Sequence, residues 1–282
     1  MPSSSAISYL PALDVRVGDC RELMREMPDE SVQCCVTSPP YWGLRDYGNA
    51  GQIGQEETPE LFVKALVDVF REVRRLLKAD GTCWVNLGAS YARQGSDSYA
   101  TGKGALVQNQ IQQRCKRNGK PPAGYKHKDM IPTPWMLAIG MQADGWYLRQ
   151  DIIWHKPAPT PESVTDRCTR SHEYIFLLSK SPKYYYNAKA IAEPTRNKPS
   201  VWSINTHAYP EAHFATYPPD LIKPCIMAGT KCGDVVLDPF GGSGTTGQVA
   251  LELGRRAILC ELNEDYAQII HQRTNVTMGL AI

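Results

Sequence analysis

The chain has 282 residues, 42% of them hydrophobic, and a formal net charge of +2. That length holds one large domain, or a domain with an insertion, and so small a charge excludes a global attraction to nucleic acid: any basic footprint has to be local. No stretch approaches the ~18 apolar residues of a membrane span, the start MPSSSAISYLPALD lacks the basic beginning of a signal peptide, and nine cysteines without a Cys-x-x-Cys pair point to reduced thiols in a cytoplasmic protein, with neither a zinc site nor a disulfide framework.

In chain order, LDVRVGD (13–19) is expected as a short strand and CRELMREMP as a helix with Leu23, Met24 and Met27 on one side. VQCCVTS is a continuous apolar run, the signature of a buried strand. Residues 59–81, PELFVKALVDVFREVRRLLKADG, carry helical apolar spacing, with Pro59 suited to the first turn and Gly81 to the end. TCWVNLG is the next strand, IPTPWMLAIGMQADG a helix, WYLRQDIIWHKP and HEYIFLLSKS strands, and KYYYN a short strand. PPDLIKPCIMAG is a helix, GDVVLDPF a strand, GTTGQVALELG a helix, RRAILCEL a strand and NEDYAQIIHQRT a helix. Such alternation implies an α/β fold with a mainly parallel sheet covered on both faces. Two stretches break the rhythm. Residues 92–128 are polar, with eight Lys or Arg against the single acid Asp97, and 193–212 are loop-like around Trp202. On a compact core such segments are functional loops or disordered insertions.

Two motifs carry chemistry. In TSPPYWGLRDYG (37–48), Ser38 and Pro39 each precede a proline and are pushed toward extended geometry, and Pro40 has no N–H. The Pro39 carbonyl is left without a local partner, beside a hydroxyl and ahead of the flat Tyr41 ring. A rigid acceptor pair with a ring behind it suits an amino group on a flat heterocycle; a strand ending in a Pro-Pro turn is the plainer alternative. In VVLDPFGGSGTTGQVALELGRRAILCELN (235–263), a strand ends in Asp238, a glycine-rich turn follows, and a helix begins near Thr245. Glu261 ends the next strand about 20 residues on, where a carboxylate reaches ribose hydroxyls. No Gly-Lys-Ser/Thr follows the glycines, and Asp238 puts a negative charge where a phosphate would sit. An acidic, glycine-lined pocket suits a cationic nucleoside ligand, and S-adenosylmethionine is one.

TSPPYW together with DPFGGSGTT resembles the amino-methylating DNA methyltransferases, and the order, catalytic motif before cofactor motif, resembles their circularly permuted β group. The stretches 154–191 and 213–226 are similar to that group's central segment and to the segment preceding its cofactor turn. The resemblance implies one S-adenosylmethionine-dependent, Rossmann-like catalytic domain over 1–282, with candidate DNA-contacting insertions at 92–128 and 193–212. It implies that the Ser38 side chain and the Pro39 carbonyl accept from the target amine, with Pro40 stiffening the turn and Tyr41 stacking on a base flipped out of the duplex. It assigns Phe240, Gly242, Gly244, Thr245, Asp238 and Glu261 to the cofactor, with Phe214 and Thr216 closing over its methionine part. Asp19 is either a plain helix N-cap or the matching acid beside the adenine. Asn86 is as readily a turn former as a site residue, and Asp166, Arg167 and Glu173 as readily a structural ion-pair network as a functional one.

Ser at the first motif position goes mostly with cytosine in this family, and Asp or Asn with adenine. Transfer to cytosine N4 of double-stranded DNA is therefore expected, with adenine N6 as the alternative. A protein or RNA methyltransferase, or a catalytically idle DNA-binding relative, are further alternatives that the motif order and the intact motifs argue against. Trp42, Arg45, Lys116, Arg117, Arg196, Lys198 and Trp202 are the candidate DNA contacts. Of the six histidines, His155, His172 and His213 show no metal-ligand spacing, so no metal is expected; oligomeric state stays open between a monomer and the homodimer that the β group often forms.

Overall fold

The computed structural model describes residues 12–44, 51–92, 121–206 and 217–279. Among them are ten strands and six α-helices. The strands are β1 (Leu13–Val17), β2 (Val32–Thr37), β3 (Leu77–Leu87), β4 (Ser90–Tyr91), β5 (Met130–Ile131), β6 (Tyr147–His155), β7 (His172–Ser179), β8 (Val201–Ser203), β9 (Val235–Asp238) and β10 (Arg256–Glu261). The helices are α1 (Cys20–Arg25), α2 (Pro59–Leu76), α3 (Thr133–Ala143), α4 (Pro219–Gly229), α5 (Thr245–Glu252) and α6 (Glu264–Gly279). Eight strands form one sheet in the order β1-β10-β9-β2-β3-β7-β6-β8. From β1 to β3 every pairing is parallel, and β7 runs antiparallel to both β3 and β6.

Strand alternation sends side chains to two cores. Cys35, Cys83, Val85, Phe176 and Leu178 pack under α1, α2 and α3. Cys34, Val36, Trp84, Ile175 and Leu177 pack under α4, α5 and Ile270 of α6. The sheet is thus covered on both faces, and its strands read as apolar runs because both sides are buried. The sequence order is permuted across it: β9 and β10, made late, sit between β1 and β2, made early.

Three details differ from expectation. The long helix does not run to Gly81. Thr58 caps it by accepting from the Leu61 N–H at 3.3 Å, and it ends at Leu76, because buried Leu77 is already extended (ψ 137°) and pairs with Val32. Register jumps from Val32↔Leu77 to Cys34↔Thr82, and Gly81 lies in that irregularity. A Cβ there would sit 3.0 Å from the Gln33 and Lys78 carbonyl oxygens, so the glycine allows close backbone approach rather than ending a helix. KYYYN is not a strand; its one ladder-like bond is Tyr185 N–H to the Asp80 carbonyl, 2.8 Å. Conversely, β8 lies inside the stretch read as a loop, pairing in parallel with β6 through Ile153↔Val201 and Trp154↔Trp202.

The ends of the basic stretch 92–128 meet. Ala92 N–H donates to the Asp129 carbonyl and Lys128 N–H to the Ala92 carbonyl, beside the β4–β5 ladder. Residues 93–120 lie outside those described, as do 207–216. No helix among the described residues is long and apolar enough to cross a membrane.

Candidate active site

The site grows out of the carboxyl ends of the parallel strands, where an open α/β sheet leaves its crevice. β2 runs into Ser38-Pro39-Pro40-Tyr41, β9 into the glycine turn, β10 into Glu261, β1 into Gly18-Asp19, and Asn86 comes from the end of β3. Residues from all five ends line one cavity of about 470 Å³.

On one side lies the glycine turn. Gly244 opens α5 with φ +83°, a conformation glycine takes freely, and a Cβ on it would lie 3.1 Å from Ile270. Gly242 N–H donates to Glu261 Oε2 at 2.8 Å, and Asn263 N–H to Glu261 Oε1 at 2.9 Å. Glu261 is therefore held by two backbone donors while it lines the cavity, and burial raises its pKa. Asp19 caps α1, accepting from Arg21 N–H at 2.9 Å. Its carboxylate also pairs with the Arg21 guanidinium, which lowers its pKa, and the same guanidinium reaches the Gly51 carbonyl at 3.2 Å. Asp19 is thus both a cap and a cavity wall.

Asp238 does not face the cavity. It is 1% exposed, and its carboxylate accepts from Thr37 Oγ1 (2.6 Å), Phe240 N–H (3.0 Å), Thr246 Oγ1 (2.6 Å) and Tyr217 Oη (3.1 Å). Burial raises its pKa to about 6 against these four donors. The acid expected to greet the ligand is instead a knot beneath the cavity, joining Thr37, the residue before Ser38, to the glycine turn. The acids that line the cavity are Asp19, Glu173 and Glu261, and among the described lining residues Lys156 is the lone cation. That surplus of negative charge fits a sulfonium and an ammonium.

On the other side are Ser38, Pro39, Pro40 and Tyr41. The Tyr41 ring is anchored through its hydroxyl, which donates to Glu173 Oε2 at 2.5 Å; burial, with the Glu173 charge, raises the phenol's pKa and keeps it a donor. Asn86 Nδ2 donates to the Tyr174 carbonyl (3.0 Å) and to Glu173 Oε2 (3.3 Å). Lys156 Nζ donates to Glu173 Oε1 and lies 4.2 Å from the Trp154 ring centroid. Sequence reasoning misses Lys156 and leaves Glu173 open as a structural ion pair. They stand at the end of β6 and the start of β7, and only the antiparallel pairing His155↔His172 brings them together.

Of the expected cofactor residues, Asp19, Phe240, Gly242, Thr245 and Glu261 line the cavity, whereas Asp238 and Gly244 shape it from outside. Two expected DNA contacts are corrected. Trp42 is 3% exposed and donates its indole N–H to the Glu56 carbonyl at 3.0 Å; Trp202 is 4% exposed and donates to the Pro199 carbonyl at 2.7 Å. Both are core residues, because each ring fills an apolar cluster while its polar atom finds a backbone acceptor. Lys198 lies over the Trp202 ring at 5.0 Å, and exposed Arg196 pairs with Glu193 at 2.7 Å; neither lines the cavity. Arg45, Lys116, Arg117, Phe214 and Thr216 lie outside the described residues. Lys128 and Arg167 are ion-paired with Asp166 and Glu162, Arg167 also stacking on Tyr91. Among the described residues no cluster of His, Cys, Asp and Glu is placed to hold a metal.

Comparison with known proteins gives the family. The model of a family described as DNA methylase, acting at N6 or N4, matches residues 32–272. The chain is 50% identical over 276 residues to the Type II methyltransferase M.SmaI of Serratia marcescens, covering 94% of this chain and 92% of that protein. It is 48% identical to the Type II methyltransferase M.Cfr9I of Citrobacter freundii, covering 91% and 85%. Among solved structures, a DNA modification methylase of Thermus thermophilus in complex with S-adenosyl-L-methionine, itself assigned only provisionally, matches at TM-score 0.64 and 28% identity, covering 94% and 95%. The cytosine-N4-specific PvuII DNA methyltransferase shares the fold at TM-score 0.70 and 21% identity, covering 96% and 93%.

Proposed function

The chain belongs to the N6/N4 DNA methylase family and is an S-adenosylmethionine-dependent DNA methyltransferase; on that premise we propose that it methylates the exocyclic N4 of a cytosine flipped out of double-stranded DNA. One observation carries this reading: Ser38, Pro39 and Tyr41 open into the same cavity as the glycine turn and Glu261. The Type II designation of its relatives supports a role in restriction-modification.

The residues fit the cofactor. Glu261, held by Gly242 and Asn263, has lone pairs left for ribose hydroxyls, and Asp19, in the wall of the same cavity, is the acid proposed to lie beside the adenine. Bound there, the cofactor supplies an electrophilic sulfonium methyl group. Ser38 Oγ and the Pro39 carbonyl accept from the two N–H groups of the target amine. They draw its nitrogen toward tetrahedral geometry and localise a lone pair that the ring otherwise delocalises. With the cofactor bound, the nitrogen lone pair would take the methyl group while the C–S electron pair stays on sulfur, leaving a neutral thioether, and the methylated amine would lose one proton to solvent. Acceptors aimed at developing positive charge mirror the donors of an oxyanion hole, so none of the cysteines is needed as a nucleophile. Tyr41 offers its ring to the base. The basic stretch 92–128, which leaves and returns through the Ala92–Asp129 junction, and the exposed Arg196 are the proposed backbone contacts. Ser38 supports cytosine over adenine.

The test is to incubate the protein with methyl-labelled S-adenosylmethionine and unmethylated genomic DNA and digest to nucleosides. Label in N4-methyldeoxycytidine is expected. Label in N6-methyldeoxyadenosine selects the adenine alternative, and cofactor binding without label in DNA selects the idle relative.

A further inference from the structure

Three donors from three elements converge on Glu173: the Tyr41 hydroxyl from the catalytic loop, the Asn86 amide from β3, and the Lys156 ammonium from just beyond β6. The pair is largely enclosed, with the Lys156 and Glu173 side chains 19% and 15% exposed. Lysine ordinarily keeps its ammonium in water. Here it is drawn onto the Trp154 face and into a cavity wall, and the Lys156 backbone is fixed by donating to the Ser171 carbonyl at 2.7 Å. Enclosing an ion pair is a poor way to gain stability, because desolvation offsets the attraction.

The cofactor's carboxylate would attract a cation, but Glu173 ties Lys156 to Tyr41 of the catalytic loop and not to the glycine turn, so on this side of the cavity the cofactor gives it no partner. The base does. Ser38 and Pro39 engage the amine, but a flipped-out base also presents ring acceptors that have lost their Watson–Crick or solvent partners, and each costs free energy if left unpaired. An ammonium has three N–H donors, of which Glu173 takes one, and the cavity lining among the described residues offers no other cation.

We propose that Lys156 is a contact to the flipped-out base, donating from its ammonium to a ring acceptor, the ring carbonyl in a cytosine. Glu173 is then a positioning residue that holds that ammonium, cancels its charge beside the sulfonium, and orients the Tyr41 ring through its hydroxyl. This rests on the cavity being the amine-methylating site.

The test uses the full chain as wild type, Lys156→Met, Glu173→Gln and the double variant. Dialysis with labelled S-adenosylmethionine reads cofactor affinity, and label transfer to unmethylated genomic DNA reads kcat and KM. Lys156→Met is expected to bind cofactor like wild type and to raise the KM for DNA about tenfold, the loss of one charged hydrogen bond. Glu173→Gln leaves an uncompensated ammonium and is expected to weaken cofactor binding about fivefold. The double variant is expected to recover cofactor affinity while staying poor on DNA, an outcome that a merely structural role for the pair does not produce. Wild-type KM and kcat in Lys156→Met overturn the base contact, and a double variant as weak for cofactor as Glu173→Gln overturns the charge-cancelling role. Should Lys156→Met fail to fold by thermal melting, Lys156→Gln replaces it, with the same expectation and the same overturning result. A wild type that transfers no label to any DNA overturns the reading of the site itself, which is a separate failure.

Discussion

Thr37 and Asp238 stand 201 positions apart in the chain and share a hydrogen bond of 2.6 Å between Thr37 Oγ1 and Asp238 Oδ1. The same oxygen accepts from Phe240 N–H at 3.0 Å. One carboxylate thus sets the distance between the loop proposed to hold the amine and the turn proposed to hold the methyl donor.

Asp238 is expected to make stability fall as pH rises through the acid range. Its pKa is raised from 3.8 to about 6 by burial. Between those values the folded protein holds a proton that the unfolded chain has released, so folding is favoured at the low end. The contribution declines up to about pH 6 and is flat above, a span of at most ~3 kcal/mol. Asp238→Asn removes this titration. The difference in unfolding free energy between wild type and Asp238→Asn, from denaturant curves at pH 4, 5, 6 and 7, is expected to shift toward the variant as pH rises and then level off. A difference constant across that range would refute the assignment.

Ser38→Ala deletes one of the two acceptors proposed for the amine without touching the cofactor side. Methyl transfer is expected to drop about 100-fold, with S-adenosylmethionine affinity unchanged. Tyr41→Ala is expected to behave alike. Loss of cofactor affinity in either variant, still folded by circular dichroism, speaks against the division of the cavity.

Glu261→Ala removes the acceptor proposed for the ribose and also releases the Gly242 and Asn263 amides. Calorimetric titration with S-adenosylmethionine is expected to show affinity lower by tenfold or more. An unchanged Kd would leave Glu261 as a brace for the glycine turn alone.

Trp42→Phe tests the corrected placement of that ring. A core site that loses one indole hydrogen bond and some volume is expected to lose about 1–2 kcal/mol of stability, seen as a lower thermal midpoint. DNA affinity, by fluorescence anisotropy at several salt concentrations, is expected to stay the same. A weakened complex in a normally melting variant would return Trp42 to the DNA surface.

The alternation of elements is legible in the sequence because the strands are buried on both faces and so run apolar without a break, as VQCCVT does in β2. The two halves of the site are legible because each is a short local motif at a strand end. What stays hidden depends on distant pairing. Nothing near Asp238 announces donors from Thr37, Tyr217 and Thr246, so local sequence sets the acid against the ligand. Lys156 and Glu173 are joined only by β6–β7 register. Trp42 lies in the catalytic-loop motif and Trp202 among polar neighbours in sequence, yet each finds a backbone acceptor that lets its ring go inside. Gly81 follows a run of helix formers, and only the close approach of Gln33 and Lys78 shows why it is there.

The permuted order of the sheet also governs when the enzyme can come into being. Gly18 N–H bonds to the Glu261 carbonyl at 2.9 Å, and among the described residues β1 finds its ladder partner in β10 alone. A chain emerging from the ribosome presents the loop proposed to bind the amine early, but the strands that carry the glycine turn and Glu261, the carboxylate proposed for the ribose, come late in the chain. Pairings so distant in sequence close slowly and late, so an unfinished chain has no seat for the methyl donor. Methyl transfer is therefore expected only once β9 and β10 are made and paired, and a chain stopped before them is expected to bind no methyl donor.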